Sequence, residues 1–428
     1  MSVTHEGQGI ADLPGKKVFV AGALAGEQVR LQRRKRRRNY DEAELLDVLE
    51  ASEQRLEPRC EAFGRCGGCV FQHVSIDEQR KLKETSLKDS LERIGKVSPD
   101  RWLPPLVVGD GWHYRRRARL AVKHVHGKGR VLVGFRERHA PFITDMQRCE
   151  VLGQPVDALI LPLSELIDTL SIRARLPQVE VAIADNAVEL VFRVLDPPSD
   201  SDLEKLIAFG KSHDLRIALQ PKGPDSVYAL FPAEPQEALR YRLDAFDVDI
   251  EFLPTDFVQV NAQVNAAMVG QAIEHLDVDA SHRVLDLFCG IGNFTLPLAR
   301  RAGDVIGIEG EARQVERASA NAALNGIGNA HFRCADLFKV TGDEDWIREG
   351  CDRLLLDPAR SGADAAIAHT KSLNPEKIVY VSCHPGTLAR DAGMLVSEFG
   401  YSLEAAGIID MFPHTAHVES MAVFQRNS

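Results

Sequence analysis

Beyond about residue 251, short apolar runs alternate with stretches of helical period. Residues 257–261 lead into a helix running through Gly270 and Ile273, and apolar strands follow at 284–287 and 304–309. A helix is predicted over 312–325, closed by Asn325 and Gly326, and further strands over 330–334, 351–357 and 378–382. Two more strands, near Ile408 and over 418–424, close the series. Such alternation predicts a mostly parallel sheet with helices on both faces, an α/β fold. Upstream the pattern changes. Hairpins are predicted from 113–123 to 130–136 around His126-Gly-Lys-Gly129, and from 179–184 to 187–192 around Asp185 and Asn186. A helix to about His213 and a strand over 215–219 complete an α+β middle region. The stretch 77–93 places Leu82, Leu87, Leu91 and Ile94 on one helical face. Residues 1–52 are β-like, with strand candidates over 18–20 and 27–31. The expected division is 1–52, 53–250 and 251–428.

The strand at 284–287 is followed by Gly290 and Gly292, which let the backbone turn with no side chain in a ligand's way. Asn293 is placed to cap a helix to about Arg301. A strand, a glycine turn and a helix start form a nucleotide crevice at the carboxyl edge of a sheet. No Gly-Lys-Ser/Thr follows, so this is not a P-loop, and the dinucleotide Gly-x-Gly-x-x-Gly is missing. Glu309 ends the next strand, where an acid holds ribose hydroxyls. The layout resembles the S-adenosylmethionine crevice of class I methyltransferases. Asp336, Asp357 and Cys383 each follow a later strand and so face the same crevice. Asp336 suits adenine's exocyclic amine, and Asp357 lies on the acceptor's side.

The net charge of −10 excludes gross affinity for nucleic acid, so any such binding must be local. One local patch exists: seven of the nine residues 30–38 are Arg or Lys. It reads as a solvated loop or as a phosphate-binding strip on a small OB-type barrel. The segment resembles a TRAM domain, a small RNA-binding barrel, through residues 15–24, Gly26, Glu27 and the basic run. Arg115, Arg117 and Arg119 would share one face of a strand, as a nucleic-acid surface or as partners of acidic residues. The first ten residues have no apolar leader and no run is long enough to span a bilayer, which predicts a cytoplasmic protein. In a reducing compartment, clustered cysteines imply a metal or catalysis. Of eight cysteines, Cys60, Cys66 and Cys69 are spaced Cys-x5-Cys-x2-Cys among glycines, with Cys149 as a distant fourth ligand. Four thiolates fit zinc or a [4Fe–4S] cluster, and three close cysteines plus a remote one look more like the cluster.

A strand-end cysteine beside a helix N-terminus can have its pKa lowered, or it can be a small buried hydrophobe. In a methyltransferase such a cysteine has a specific use. Carbon 5 of uracil is a poor nucleophile, and thiolate addition at carbon 6 makes an enolate that concentrates charge on carbon 5. A base must then remove the carbon-5 proton. Glu419, a lone acid opening an apolar strand, is the candidate.

Along essentially its whole length the chain resembles the bacterial RNA uracil-5-methyltransferases. The resemblance rests on Phe257-Val-Gln259, Asp286-Leu-Phe-Cys-Gly-Ile-Gly-Asn293, Asp357-Pro-Ala-Arg360, residues 382–391 around Cys383, and His417-Val-Glu419. It implies Cys383 as nucleophile and Glu419 as base. Gln259, Phe288, Asn293, Glu309, Asp336 and Asp357 would line the cofactor and uracil pocket. Cys60, Cys66, Cys69 and Cys149 would hold a [4Fe–4S] cluster. His384 and Gly386 depart from the Asn and Ala expected there. Having both a TRAM segment and a cysteine cluster resembles the branch acting on one uridine of 23S ribosomal RNA, as a monomer with no obligate protein partner. The competing readings are the same chemistry on another RNA, a non-catalytic RNA-binding assembly factor, and an amine methyltransferase. The last two leave Cys383 and Glu419 unexplained.

Overall fold

The computed structural model describes every residue except Met1, His5, Pro14, His139 and Ser428. Four sheets organise the chain.

The N-terminal sheet has five strands in the order Ser2–Val3, Gln8–Leu13, Lys16–Ala21, Tyr40–Glu50, Gln28–Arg36. Its core is small: Ala11, Val18, Val20, Ala23 and Ala43. The basic run is therefore strand as far as Arg36, not loop. Its antiparallel register sets Arg30 opposite Asp47, Lys35 opposite Glu42 and Arg36 opposite Asp41. The acidic stretch that follows the basic run in sequence is thus its cross-strand partner.

The middle sheet has six strands in the order Tyr228–Phe231, Arg216–Gln220, Val188–Arg193, Gln178–Ile183, Arg117–Val125, Arg130–Gly134. Both predicted hairpins are present, the first turned by His126–Lys128 and Gly129 at φ +64°. The arginine face is present only in part: Arg117 and Arg119 share it, both directed at Glu180. Arg115 precedes the strand. Arg117 is turned inward onto the Pro254 carbonyl and lies 4.0 Å from Glu180, while Arg119 reaches the same carboxylate at 3.3 Å. The acidic-partner reading holds for these two; for Arg117, whose guanidinium is largely buried, acceptors are required.

The C-terminal sheet has eight strands in the order Ala330–Cys334, Asp304–Glu309, Arg283–Leu287, Arg353–Leu356, Lys377–Ser382, Glu419–Arg426, Tyr401–Ile409, Arg101–Trp102. The first five run parallel, and Glu419–Arg426 is antiparallel to both of its neighbours. Arg101–Trp102, from far upstream, extends the edge. The helix Ile76–Ser90 also belongs to this face, packing on helix Pro385–Ser397 and strand Tyr401–Ile409. Its inward side is not the apolar stripe that was expected. Gln79, Lys83, Leu87 and then Leu91 point in, and Ile94 is exposed. Lys83, 1 % exposed, places its ammonium 2.9 Å from Asp410 Oδ1 and 2.9 Å from the Phe412 carbonyl. These acceptors offset the desolvation that would otherwise exclude a lysine.

The helix after the glycine turn also departs from expectation. It spans only Thr295–Ala299, with Phe294 at its cap position. Asn293 does not cap it. Its amide exchanges two hydrogen bonds with Asn265, both 2.9 Å, and accepts another from the Tyr241 hydroxyl at 2.9 Å.

Candidate active site

Strand register builds the site. Ser382 lies opposite Ser420, and the Ser420 hydroxyl donates to the Ser382 carbonyl at 3.2 Å. The next pair outward is Cys383 and Glu419. On the other side of the same strand, Leu356 lies opposite Tyr380, so Asp357 ends its strand one step further. Its N–H donates to the Leu287 carbonyl at 3.3 Å. Three adjacent strands therefore deliver Asp357, Cys383 and Glu419 to one edge, on the side where a parallel sheet opens its crevice.

The electrostatics there are unusual. Glu419 is 3 % exposed and makes no side-chain hydrogen bond among the described residues. Burial, then the neighbouring Asp357, pushes its carboxyl well above the ordinary range. Burial alone pushes Asp357 up to about 7. Cys383 is also raised, to about 11, by burial and then by Glu419 and Asp357, with Arg360 opposing. The expected lowering of this thiol is thus reversed. The helix Pro385–Ser397 does begin beside it, capped by His384, whose Nδ1 accepts the Thr387 N–H at 3.2 Å. Lost hydration and two neighbouring acids outweigh one helix end.

Three groups here were given no role from sequence. Arg360 donates to His417 Nδ1 at 2.7 Å. Burial and then Arg360 lower the imidazole to about 4, so His417 is a neutral acceptor that holds a guanidinium toward Cys383. The motif residues around them were legible, but nothing in one sequence shows that they meet. Arg116 is another. Its Nε donates to the Gln259 carbonyl at 2.9 Å, its guanidinium lies 4.4 Å from the Tyr241 ring centroid, and both terminal nitrogens are buried without partners.

The glycine turn is built as expected, with Gly290 at φ +55° and Gly292 at φ +96°. Phe288 is also left-handed, at φ +67°. For a bulky residue that conformation is costly and marks a site under constraint. Glu309 ends its strand with Oε2 accepting the Gly290 N–H at 3.0 Å and Oε1 accepting the Gly310 N–H at 2.7 Å. The acid thus braces the turn while keeping spare lone pairs. Asp336 is exposed, held by the Phe338 N–H at 3.1 Å and by Lys339 at 2.9 Å. The Phe288 and Phe338 rings stand 5.7 Å apart. The Gln259 side-chain amide has no partner among the described residues. Asp286, beneath the turn, is fully buried; Thr295 donates to its Oδ2 at 2.6 Å, its Oδ1 is unpartnered, and burial pushes it up to about 8.

A cleft of about 1040 Å³ leads to Cys383. Thr4 and Lys17 of the N-terminal sheet, Ser86 and Arg93 near the helix Ile76–Ser90, and His384 and His417 line it. The distant cysteines also converge. Cys60, Cys66, Cys69 and Cys149 are all free thiols, and Cys66 and Cys149 are buried. Cys69 is pushed up to about 12 and Cys149 to about 11, by burial first and then by other thiols of the four. Among the described residues no three acidic, His or Cys side chains surround a point that would hold a single metal ion.

The family model described as tRNA (uracil-5-)-methyltransferase matches residues 78–427. A 23S rRNA (uracil(1939)-C(5))-methyltransferase RlmD of Alkalilimnicola ehrlichii is 50 % identical over 426 residues, covering 100 % of this chain and 95 % of the relative. The protein of the same name in Nitrosococcus oceani is 50 % identical, covering 99 % and 95 %, and that of Xylella fastidiosa 48 %, covering 100 % and 96 %. Among solved structures, a Pyrococcus abyssi tRNA (uracil-54, C5)-methyltransferase with S-adenosyl-L-homocysteine shares the fold, with TM-score 0.74 and 24 % identity, covering 99 % of this chain and 98 % of that one. With strand ends, cleft and full-length relatives in agreement, the chain is a methyltransferase and belongs to the tRNA (uracil-5-)-methyltransferase family.

Proposed function

We propose that the protein methylates carbon 5 of one uridine in 23S ribosomal RNA, using S-adenosylmethionine. The observation that carries this is the meeting of Cys383, Glu419 and Asp357 at one strand edge beside a glycine-turn crevice. The target class is supported by the names of relatives half identical over their full length. The Cys383 thiol gives up its proton and the thiolate adds to carbon 6, opening the 5,6 double bond into an enolate. Bound S-adenosylmethionine supplies an electrophilic methyl group for carbon 5. Glu419, ionised, then takes the carbon-5 proton; the double bond reforms and the thiolate leaves. Its raised proton affinity makes it an effective acceptor once ionised. Asp357 and Gln259 would line the same cofactor and uracil pocket. Phe288, Asn293, Glu309 and Asp336 would hold the cofactor. The fit is good at the turn, where a side chain at Gly290 would meet nothing nearer than 3.5 Å. At Asn293 the amide already has protein partners, so its part is to fix the crevice wall.

The four convergent thiols fit a thiolate-bound group, and we assign them to a [4Fe–4S] cluster with a structural role, since methylation moves no electrons. Protein purified without oxygen should be brown, with about four irons per chain; stoichiometric zinc without iron would overturn the assignment. The division 1–52, 53–250 and 251–428 is proposed as TRAM-like barrel, cysteine-bearing middle and methyltransferase regions. Among the described residues no helix is long and apolar enough to cross a membrane. We further propose a cytoplasmic monomer working on RNA, the RNA being what the names of its relatives support. The deciding experiment maps 5-methyluridine in 23S ribosomal RNA from a deletion strain before and after the gene is restored. Loss and return of one modified uridine is expected. An unchanged map with a lost transfer-RNA modification would move the target.

A further inference from the structure

The loop between Ile409 and Glu419 connects the last two strands of the sheet and carries His417 into the site. It is held from outside the sheet. The His414 carbonyl accepts the Val70 N–H at 2.8 Å and the Phe71 N–H at 3.1 Å, the two residues that follow Cys69. Its own N–H donates to Gln79 Oε1 at 2.9 Å, and Gln79 Nε2 lies 3.2 Å from its Nδ1. The Tyr114 hydroxyl donates to the Pro413 carbonyl at 3.0 Å. The His414 imidazole stacks on Trp112 with centroids 3.9 Å apart. On Trp112 lies the Arg59 guanidinium, 5.1 Å from a ring centroid. Arg59 immediately precedes Cys60, and its Nε is 2.8 Å from Glu150, which immediately follows Cys149. A continuous stack thus runs from both ends of the cysteine set to the loop before the base. His414 is held at φ +65°, a conformation that persists only where surroundings enforce it.

We infer that the stack of Arg59, Trp112 and His414 registers the loop preceding Glu419 against the cysteine-bearing segment, making Trp112 and His414 positioning residues for proton removal from carbon 5. This rests on the assignment of Cys383 as nucleophile and Glu419 as base. Cys383 is on another strand, so a slack stack leaves attack possible and impairs release. A displacement of about 1 Å at a catalytic group can cost on the order of a hundredfold.

The test uses the full-length enzyme and uracil-containing substrate RNA. His414→Gly removes the ring while tolerating the positive φ, and Trp112→Ala removes the platform. Both should lower kcat by about 10- to 100-fold with KM for RNA within about threefold, and should accumulate methylated covalent adduct on denaturing gels. Trp112→Phe, which keeps a ring under His414, should restore most turnover. Unchanged kcat, or a fall in kcat without adduct, would overturn the inference. If either variant fails to fold, Arg59→Ala at the exposed end decides: adduct accumulation supports the coupling, and wild-type behaviour refutes it. Glu419→Gln run alongside separates the two levels. If it gathers adduct and the stack variants do not, only this inference fails. If it turns over normally, the base assignment fails first.

Discussion

The two ends of the molecule handle charge in opposite ways. At the strand edge of the C-terminal sheet, Asp357 is half-buried and Glu419 buried, beside a thiol and without salt-bridge partners among the described residues. On the N-terminal sheet charges are dense, exposed and paired across strands: Arg30 with Asp47 at 2.9 Å, Arg34 with Glu44 at 2.6 Å, Lys35 with Glu42 at 3.3 Å. The first arrangement stores unfavourable electrostatics and keeps it because groups with displaced proton affinity do chemistry. The second stores almost nothing, since exposed pairs are each worth about 0–1 kcal/mol. The use proposed for it is a field that RNA phosphates can exchange into. Charge density alone therefore ranks the two regions the wrong way round; burial ranks them correctly.

The largest expected effect is at the buried end. Cys383→Ala should abolish methylation, on the order of 10⁴-fold or more, and form no covalent adduct, while binding S-adenosylmethionine normally. Methylation by this variant in a radiolabel assay would remove the nucleophilic mechanism. Glu419→Gln comes next, at about 10²- to 10⁴-fold in turnover. It should stall after methyl transfer as a denaturation-resistant protein–RNA adduct. The wild-type rate should rise with pH, because Cys383 and Glu419 are both pushed toward their protonated forms and both must ionise. A rate that falls from pH 6 to pH 9 would contradict these assignments.

A smaller effect concerns stability. Asp357 is raised to about 7 in the folded protein, against about 3.9 for an unfolded aspartate. The folded state thus binds the proton more tightly. That contribution is fully present below about pH 4 and is lost as pH rises through 7. Asp357→Asn should remove this part of the pH dependence. Relative to the wild type, its Tm should gain on the order of 2–4 °C between pH 4 and pH 9. Parallel melting curves with no relative gain would show that Asp357 is hydrated and ionised at no cost.

Much of the buried end was legible in advance. Strands 304–309 and 330–334 match their predicted bounds, and Cys383 and Glu419 do stand at strand ends, where a cysteine and a lone acid break an otherwise apolar pattern. What escaped is what depends on partners distant in the chain. The inward turn of Lys83 and Gln79 depends on Asp410 and His414, more than three hundred residues away. For Arg117 the sequence leaves an RNA contact and an acidic partner equally open, and Glu180, from another strand, decides for the second. Asn293 looked like a cap because local spacing permits one, and Asn265 outbid the helix end for its amide. The upward shift of Cys383 was not legible for the same reason: a helix N-terminus is visible in sequence, while burial and two converging acids are not.

The smallest effect tests the exposed end. Within the basic strand and the turn after it, Arg36 and Arg38 have no salt-bridge partner among the described residues, whereas Arg30, Arg33, Arg34, Lys35 and Arg37 all have one. Partnered arginines must release a carboxylate before taking a phosphate, and the gain is largely cancelled. The two unpartnered ones bear most of the net field. Arg36→Gln with Arg38→Gln should therefore weaken RNA binding only a few-fold at low salt, but reduce the slope of log affinity against log salt by about 1–2. Turnover at saturating RNA should be unchanged, because neither side chain lines the cleft at Cys383. The matched control, Arg30→Gln with Arg34→Gln, removes the same formal charge from paired positions and should move the slope less. Equal slopes for the two double variants would mean that pairing does not screen this strand, and that density rather than freedom of charge governs how this face meets RNA.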